Sequence, residues 1–292
     1  MKKIILSSLF VILFIVIAHY IYLRTKAPKE SYPDDVFLGS QKNKTALVIV
    51  AHDDDAISSA GTLIQLGKQG WTVKELCFYH QANDEKLNQR NLQRQKDVQQ
   101  VKAIEGLSEF STITLPYRKL SDDALSYMPL PKDQFSHYYN SDTVLFYIRR
   151  FIDENKPSVI FTLDNNIGGY GHPDHVFVSQ LVLDECNRRA ADTSFSVKKI
   201  YQAVFTPSMN EHITKQLPVY IKALQVYGVD QPLPTVQLFI SDYGSEKKKA
   251  MEAYSTEQNS LRKIWPFYHY YPAAVYFHLF NREFFHVINV KE

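Results

Sequence analysis

Short apolar runs alternate with helical segments along most of this chain, and this alternation limits the possible folds more than any other feature. A continuous apolar run, typical of a strand buried on both faces, occurs at residues 45–51, a second buried strand is expected at 157–163, and further strands are expected at 73–79 and 111–116. Segments with helical spacing lie between and after them, at residues 57–69, 85–105, 142–154 and 174–189. The alternation predicts an α/β fold with a Rossmann-like, mostly parallel sheet and helices on both faces. Less regular strands are expected near residues 200–206, 235–241, 274–280 and 284–290, with a helix at 246–263.

The first 26 residues differ in character from the rest of the chain. Residues 4–23 are apolar except for Ser7, Ser8 and His19, and basic residues flank this run on both sides. Twenty helical residues cover about 30 Å, the thickness of a bilayer's hydrocarbon core. We therefore expect a transmembrane anchor or a cleaved signal peptide at 1–26, a linker at 27–44 and a folded domain at 45–292. Such a leader favours a membrane-anchored or exported protein whose domain lies outside the cytoplasm.

The charge distribution argues against a nucleic-acid partner. The chain has 33 Lys and Arg residues against 31 Asp and Glu residues, a formal net charge of +2. Four of the basic residues and none of the acidic ones lie in residues 1–26, so the remaining 29 basic and 31 acidic residues leave the body at −2. Nucleic-acid binding needs clustered Lys and Arg, which a near-neutral body does not supply.

A histidine and three aspartates follow the first buried strand. His52, Asp53, Asp54 and Asp55 come directly after T-A-L-V-I-V-A and precede a helical segment. Ligands of doubly wound folds bind beyond the carboxyl ends of the strands. One aspartate at this point is explained as a helix N-cap, but three beside a histidine would repel one another if they were desolvated without a cation. The cluster therefore favours a metal site.

A second polar cluster follows the strand at 157–163. Residues 164–175 read D-N-N-I-G-G-Y-G-H-P-D-H and contain three of the chain's ten glycines. His172, Asp174 and His175 open the next helix around Pro173. Two histidines and one carboxylate leave metal positions open, which is the ligand set of catalytic zinc and also of non-haem iron(II). We therefore expect Zn²⁺ at this edge of the sheet, with Fe²⁺ or another divalent metal as the alternative.

Taken together, the two motifs resemble those of the LmbE/PIG-L family of zinc-dependent N-acetylglucosaminyl deacetylases. The family's motifs usually read A-H-P-D-D-E and H-P-D-H, and this chain has A-H-D-D-D-A and G-G-Y-G-H-P-D-H. A weaker resemblance covers about residues 45–290, including the segment 94–97 at the family's Arg-x-x-Glu helix and the segment 249–258. Asp53 replaces the usual proline and Ala56 the usual glutamate. Neither is a ligand position, so these departures bear on rate and substrate preference.

The resemblance implies roles for eight residues at this edge of the sheet. They are the metal ligands His52, Asp55 and His175; the general base Asp54; Tyr170 and His172 facing the developing oxyanion; Asp174 orienting His172; and Arg94 contacting the substrate.

The implied reaction is removal of the acetyl group from an N-acetylglucosamine-type sugar or glycoconjugate by metal-activated water, with Asp54 as general base. Two other functions stay open at this point. One is metal-dependent hydrolysis of another bond, such as a phosphoester, and the other is membrane-tethered glycan binding with little or no turnover. The expected partners are the acetylated sugar and, through the leader, a membrane. The sequence leaves the oligomeric state open.

Overall fold

A seven-stranded sheet organises the computed structural model, which describes residues 2–80, 85–116 and 127–291, with only the backbone for residues 2–7, 9 and 80. The strands are β1 (Thr45–Ile49), β2 (Thr72–His80), β3 (Glu109–Leu115), β4 (Val159–Leu163), β5 (Lys199–Ala203), β6 (Val236–Phe239) and β7 (Arg282–Asn289). Their order is β3-β2-β1-β4-β5-β7-β6. Strands β1 to β5 pair in parallel, and β7 is antiparallel to both β5 and β6. The predicted mostly parallel α/β sheet is confirmed.

Helices connect the strands and cover the sheet. They are α1 (Lys2–Lys26), α2 (Phe37–Ser40), α3 (Ala60–Lys68), α4 (Glu85–Glu105), α5 (Phe135–Tyr138), α6 (Ser141–Asn155), α7 (Gly168–Gly171), α8 (Pro173–Arg189), α9 (Pro207–His212), α10 (Pro218–Tyr227), α11 (Gly244–Ala253), α12 (Gln258–Ile264) and α13 (Ala273–Leu279). Short 3₁₀ turns add Asp55–Ser58, Lys132–Gln134, Thr214–Gln216, Ser241–Tyr243 and Tyr268–Tyr270.

The apolar residues of β1 point alternately to two hydrophobic cores, one on each face of the sheet. Val48 packs in the core that includes Leu63 of α3. Leu47 packs in the opposite core, which includes Ile148 of α6 and Val182 of α8. All five of these side chains are at most 1% exposed. A strand covered on both faces needs apolar side chains at consecutive positions, which explains its unbroken apolar run.

The order of the strands reverses between β1 and β4. From β1 the chain continues outward to β2 and β3, whereas from β4 it continues in the opposite direction to β5. In sheets of this kind a crevice opens at the carboxyl ends of the two strands at the reversal. The segments that follow β1 and β4 carry the two polar clusters, so the topology places both clusters at this crevice.

Two predicted elements differ in the C-terminal part. The segment 274–280 was expected as a strand, but its residues 274–279 lie in helix α13, with Tyr276 and Phe277 buried against the core. A short apolar run fits a buried helix as well as a buried strand. The expected helix at 246–263 is interrupted after Ala253, where the backbone N–H of Ser255 donates to the Asp97 carboxylate at 2.8 Å instead of continuing a helix.

The N-terminal helix α1 packs on the domain through its last turns. Leu23 is fully buried, His19 stacks on Tyr271 with ring centroids 5.6 Å apart, and Lys26 donates to the carbonyl of His212 at 2.8 Å. The side chains of residues 10–17 are each 49–72% exposed. Across the residues that the structure describes, no helix has the length and apolarity needed to cross a membrane. The predicted anchor or signal peptide therefore gains no support.

The predicted linker at 27–44 lies against the domain. The chain at residues 33–35 pairs with Gln237 of β6, whose N–H donates to the carbonyl of Pro33 at 2.9 Å. The Tyr201 hydroxyl donates to the Asp35 carboxylate at 2.8 Å, and the Glu30 carboxylate accepts from the Ser208 hydroxyl at 2.6 Å. These contacts fix the segment along one edge of the sheet.

Two buried glutamates lack a hydrogen-bond partner among the described residues. They are Glu75 of β2 and Glu105 at the end of α4, and they are 0% and 2% exposed. Burial raises the pKa of Glu105 to about 8, with Glu283 adding to the effect and Lys247 opposing it. Burial, together with Glu105, also holds the pKa of Glu75 well above its ordinary value. Glu105 is therefore a neutral acid in the folded protein well below pH 8, and the raised pKa of Glu75 favours its neutral form as well.

The substitution Glu105→Gln is expected to stabilise the protein more at pH 8 than at pH 5. Because the folded-state pKa of about 8 exceeds the ordinary 4.5, the native state keeps a proton that the unfolded chain releases in this window. The free energy of unfolding therefore falls as the pH rises, and a neutral glutamine removes this fall. Thermal unfolding at the two pH values measures the difference.

Glu109→Gln serves as the control, because a hydrogen bond from Ser111 lowers the pKa of Glu109. The effect of pH on the free energy of unfolding therefore has the opposite sign for Glu109. A Glu105→Gln variant whose melting temperature differs from wild type equally at both pH values contradicts the assignment.

Candidate active site

Three side chains from the two polar clusters converge at the crevice between β1 and β4. His52 and Asp55 lie in the turn after β1, and His175 lies in the first turn of α8. His52 Nδ1 is 3.0 Å from His175 Nε2, which is 3.0 Å from Asp55 Oδ1. His52 Nδ1 is 3.7 Å from Asp55 Oδ2. These are the three residues that the sequence predicts as metal ligands.

The remaining nitrogens of the two imidazoles have partners of their own. His175 Nδ1 is 3.0 Å from the carbonyl oxygen of Gly168, which can only accept, so the proton lies on Nδ1. His52 Nε2 is 3.3 Å from Asp174 Oδ2 and donates to that carboxylate. Each imidazole in its neutral form therefore presents a lone pair on the nitrogen that faces the other ligands. This outer hydrogen bonding is the usual arrangement around metal-binding histidines.

The spacing of these atoms fits a metal ion. Ligand atoms bound about 2.0–2.1 Å from a tetrahedral zinc lie roughly 3.3 Å from one another. The observed separations between His52, His175 and Asp55 are 3.0–3.7 Å. His172 adds a third imidazole, and the ligand atoms of the three histidines lie within 4.8 Å of one another. The donor set and its spacing therefore suit a divalent cation.

The charges at the crevice favour a cation as well. Burial lowers the pKa of His52, but the carboxylates of Asp55 and Asp174 outweigh burial and raise it to about 10. Burial raises the pKa of Asp55, but His175 and His52 outweigh it and hold that pKa well below its ordinary value. The carboxylates thus stabilise positive charge between them.

A buried aspartate shapes the glycine-rich loop before α8. The Asp164 carboxylate accepts from the backbone N–H groups of Ile167 at 2.8 Å and Gly169 at 2.7 Å. Gly168 has φ +67°, and a Cβ at this position would lie 2.7 Å from the Cβ of His175. Only glycine combines that backbone conformation with so close an approach. The loop thereby sets the position of His175.

Asp54 lies beside the proposed ligands without being one of them. Its side chain is 16% exposed, and its Oδ1 accepts from Arg94 Nη2 at 3.2 Å. Burial raises the pKa of Asp54 to about 7, against the lowering effect of Arg94, and Glu257 adds to the rise. An acid with a pKa near neutrality can both accept and return a proton.

His172 forms the N-cap of α8, because its Nδ1 accepts from the backbone N–H of Asp174 at 3.1 Å. Burial lowers the pKa of His172 well below its ordinary value, so the imidazole is neutral and its proton lies on Nε2. The Tyr170 ring lies 5.0 Å from that of His175, and burial raises its pKa well above the ordinary value. Both side chains thus keep a proton to donate.

In the structure, Asp174 bonds to His172 through its backbone N–H and not through its carboxylate. The nearest separation is 3.9 Å, because His172 Nδ1 is already occupied by the Asp174 backbone N–H. The carboxylate instead contacts His52 and accepts from the Tyr139 hydroxyl at 2.6 Å.

Arg94, which the resemblance assigns to substrate contact, is largely enclosed by acidic side chains. It is 9% exposed and pairs with Asp53, Asp54 and Glu257 beneath the crevice.

Four residues that hold the site in place were not singled out from the sequence. Asp164 lies inside the second motif, where its position directly after a buried strand is the signal that could have identified it. Tyr139 lies in a stretch without clear periodicity, and Tyr79 and Glu257 contact the site only through other side chains. No local pattern distinguishes these three from ordinary core residues.

Comparison with known families gives a match over residues 47–186, just under half of the chain, to the PIG-L family, described as GlcNAc-PI de-N-acetylase. Two curated relatives are both named as 1D-myo-inositol 2-acetamido-2-deoxy-α-D-glucopyranoside deacetylases. The protein from Thermobifida fusca is 27% identical over 130 residues, which cover 40% of this chain and 44% of the relative. The one from Catenulispora acidiphila is 26% identical over 134 residues, covering 40% and 41%. The match thus spans less than half of each relative.

Solved structures share the fold over more of the chain. The N,N′-diacetylchitobiose deacetylase of Pyrococcus horikoshii has a TM-score of 0.55 at 16% identity, covering 88% of both chains. A deacetylase of teicoplanin biosynthesis has a TM-score of 0.56 at 18% identity, covering 84% of this chain and 98% of that one. A 4-carboxy-2-hydroxymuconate hydratase from Pseudomonas putida reaches 0.50 at 14% identity, covering 84% and 96%. The fold therefore hosts more than one reaction.

The family match contains both polar clusters, all of β4 and the last three residues of β1. The resemblance seen in the paired motifs is thereby confirmed, and residues 47–186 match the PIG-L family.

Proposed function

We propose that this protein is a metal-dependent hydrolase that removes the acetyl group from an N-acetylglucosamine-type sugar or glycoconjugate. The observation that carries the proposal is the convergence of His52, Asp55 and His175 within 3.0–3.7 Å, with Asp54 and His172 beside them. The names of the two curated relatives support an acetylated amino sugar as the substrate class.

His52, Asp55 and His175 would hold the cation, with Zn²⁺ as the expected metal and Fe²⁺ or another divalent metal as the alternative. When bound, the cation would supply Lewis-acid polarisation of the acetyl carbonyl and would acidify a water molecule. Asp174 would keep the His52 ring in place through the contact at Nε2, 3.3 Å away. Gly168 would do the same for His175 through its carbonyl oxygen.

Asp54 would act as general base and then as general acid. Its carboxylate accepts a proton from water while the water oxygen bonds to the acetyl carbon. The C–N bond then breaks, and Asp54 returns the proton to the amine nitrogen, so that the products are acetic acid and the free amino sugar. The pKa of about 7 suits both transfers at neutral pH.

His172 and Tyr170 would stabilise the negative charge on the carbonyl oxygen. The Nε2–H of neutral His172 and the hydroxyl of Tyr170 are donors that need no proton transfer to act. Removing one such donor typically costs about 3 kcal/mol of transition-state stabilisation.

Release of acetate from N-acetylglucosamine-inositol and from N,N′-diacetylchitobiose, with and without a chelator, tests the proposal. We expect release that stops on chelation and returns when Zn²⁺ is added. Chelator-resistant sugar binding without release would favour the glycan-binding alternative. Hydrolysis of p-nitrophenyl phosphate without release of acetate would favour a phosphoester. Among the described residues, potential metal ligands converge in threes at one place only, around His52, His172 and His175, and a two-metal phosphatase usually needs more ligands than this.

Asp54→Asn is expected to lower kcat by about 10²–10⁴-fold, because the amide cannot take the proton from water. The variant should still bind one equivalent of metal, since Asp54 is not among the proposed ligands. Asp55→Asn is the matched comparison, one residue away, and should lose the metal as well as activity. Steady-state kinetics and metal analysis of both variants are the measurements. Near-wild-type activity of Asp54→Asn, or loss of its metal, would refute the assignment of the base.

Gly168→Ala is expected to weaken Zn²⁺ binding by about 10–100-fold, because the new Cβ displaces the outer contact that holds His175. Gly228→Ala is the matched control, since Gly228 has nearly the same φ, +68° against +67°, but no atom within 4 Å of its Cβ position. Both variants should lose about 1–2 kcal/mol of stability from the left-handed backbone. Zinc titration calorimetry separates them, and equal affinities for the two variants would contradict the proposed role of Gly168.

A further inference from the structure

Arg94 is enclosed by acidic side chains beneath the crevice. Its Nε donates to Asp53 Oδ1 at 2.8 Å, its Nη2 donates to the same oxygen and, at 3.2 Å, to Asp54 Oδ1. Its Nη1 lies 3.5 Å from Glu257 Oε1. The side chain is 11% exposed. A guanidinium that is surrounded in this way has little capacity left for a substrate.

Asp53 is the most tightly held of these acids. It is 0% exposed, and its Oδ2 accepts from the Tyr79 hydroxyl at 2.6 Å while its backbone carbonyl accepts from the Tyr254 hydroxyl. The Arg94 guanidinium also lies over the Tyr79 ring, 5.3 Å from its centroid. Asp53 and Arg94 therefore form a fixed pair that cannot move without disturbing two tyrosines.

Asp54 is held more loosely by the same arginine. Its Oδ1 has the single, long contact of 3.2 Å to Arg94 Nη2, and its Oδ2 has no hydrogen-bond partner among the described residues. Asp53 and Asp54 thus compete for one guanidinium, and Asp53 takes most of its hydrogen bonds. The competition leaves one oxygen of Asp54 without a partner at the crevice.

We propose that Asp53 is a positioning residue, which takes most of the hydrogen bonds of Arg94, limits the contact between Arg94 and Asp54 to one hydrogen bond, and so leaves the Asp54 carboxylate oriented for proton transfer. The inference rests on the proposed function, in which Asp54 is the base. It also assigns Arg94 to the support of the base rather than to the substrate. Where proline stands in place of Asp53, as the family motif usually has it, this pair cannot form.

A physical reason supports the assignment. Arginine donors that are buried take the nearest carboxylate oxygens, because an unpaired buried guanidinium is costly. With Asp53 neutralised, Asp54 becomes the nearest charged partner of Arg94 Nε and Nη2. Its carboxylate would turn toward Arg94 and away from the crevice, and small displacements of a catalytic group lower rates steeply.

The test uses Asp53→Asn, Tyr79→Phe and Arg94→Lys in the chain of residues 1–292. We expect Asp53→Asn to lower kcat for acetate release by between about 10- and 100-fold with KM unchanged. Tyr79→Phe keeps the charge of Asp53 and should lower kcat less. Arg94→Lys should also lower kcat without raising KM. Glu185→Gln is the matched control, because Glu185 is a buried carboxylate that Arg188 and Arg149 bind, and its kcat should stay at the wild-type value.

Crystal structures of wild type and Asp53→Asn give a readout that does not depend on activity. We expect Arg94 to make two hydrogen bonds to Asp54 in the variant, and unchanged Arg94 and Asp54 side chains would overturn the inference. A kcat of Asp53→Asn within twofold of wild type, or a raised KM for Arg94→Lys with unchanged kcat, would also overturn it. If wild type releases no acetate, the proposed function fails, and the two crystal structures still decide whether Asp53 positions Asp54.

Discussion

The parallel pairing of β1 with β4 is the constraint on which the candidate site depends. The pairing aligns Ala46 with Val159 and Val48 with Phe161, so both strands end at the same edge of the sheet. Each strand is followed by a polar segment, and side chains of the two segments meet across the crevice, as His52 Nδ1 and His175 Nε2 do at 3.0 Å. A slip by one residue would turn every side chain of a strand to the opposite face. Burial of both strands in two separate cores holds the register, and the register in turn holds His52 opposite His175.

The negative charge at this edge is balanced in two separate ways. Below the crevice, Asp53 is neutralised by a buried arginine and a tyrosine hydroxyl from the protein itself. At the crevice, Asp55 and Asp174 face imidazoles whose free nitrogens point at one another. An arginine is a permanent counter-charge, whereas an imidazole can exchange its proton for a metal ion. The charge of Asp53 is therefore balanced permanently by the protein itself. The charges of Asp55 and Asp174 are balanced by imidazoles, which a cation from solution can replace as the counter-charge.

Much of the fold and most of the candidate site could be predicted from sequence for physical reasons. Unbroken apolar runs identify strands covered on both faces, and parallel topology then requires that polar residues after two such strands meet. The partner of Arg94 could not be predicted, because Asp53 lies 41 positions away and the pairing arises only from the packing of α4 against the end of β1. Helix α13 was expected as a strand, because a short, mostly apolar run satisfies either structure in a buried setting. The contact of the Asp174 carboxylate with His52 could not be predicted either, because it depends on the N-cap of α8. In that cap the backbone N–H of Asp174 occupies His172 Nδ1, and the cap forms only in the folded loop.

The segment at residues 33–35 has a consequence for the solubility of shortened chains. Strand β6 is the last strand of the sheet, and its outer side would otherwise present free main-chain N–H and C=O groups. On that side, the backbone N–H of Gln237 donates to the carbonyl of Pro33, and the backbone carbonyl of Gln237 accepts from the N–H of Asp35. The side-chain amide of Gln237 donates to the Asp34 carboxylate. Uncovered strand edges pair readily with other chains. A chain shortened to begin at residue 27 keeps this cover, whereas one that begins at residue 45 exposes an edge through which copies can aggregate.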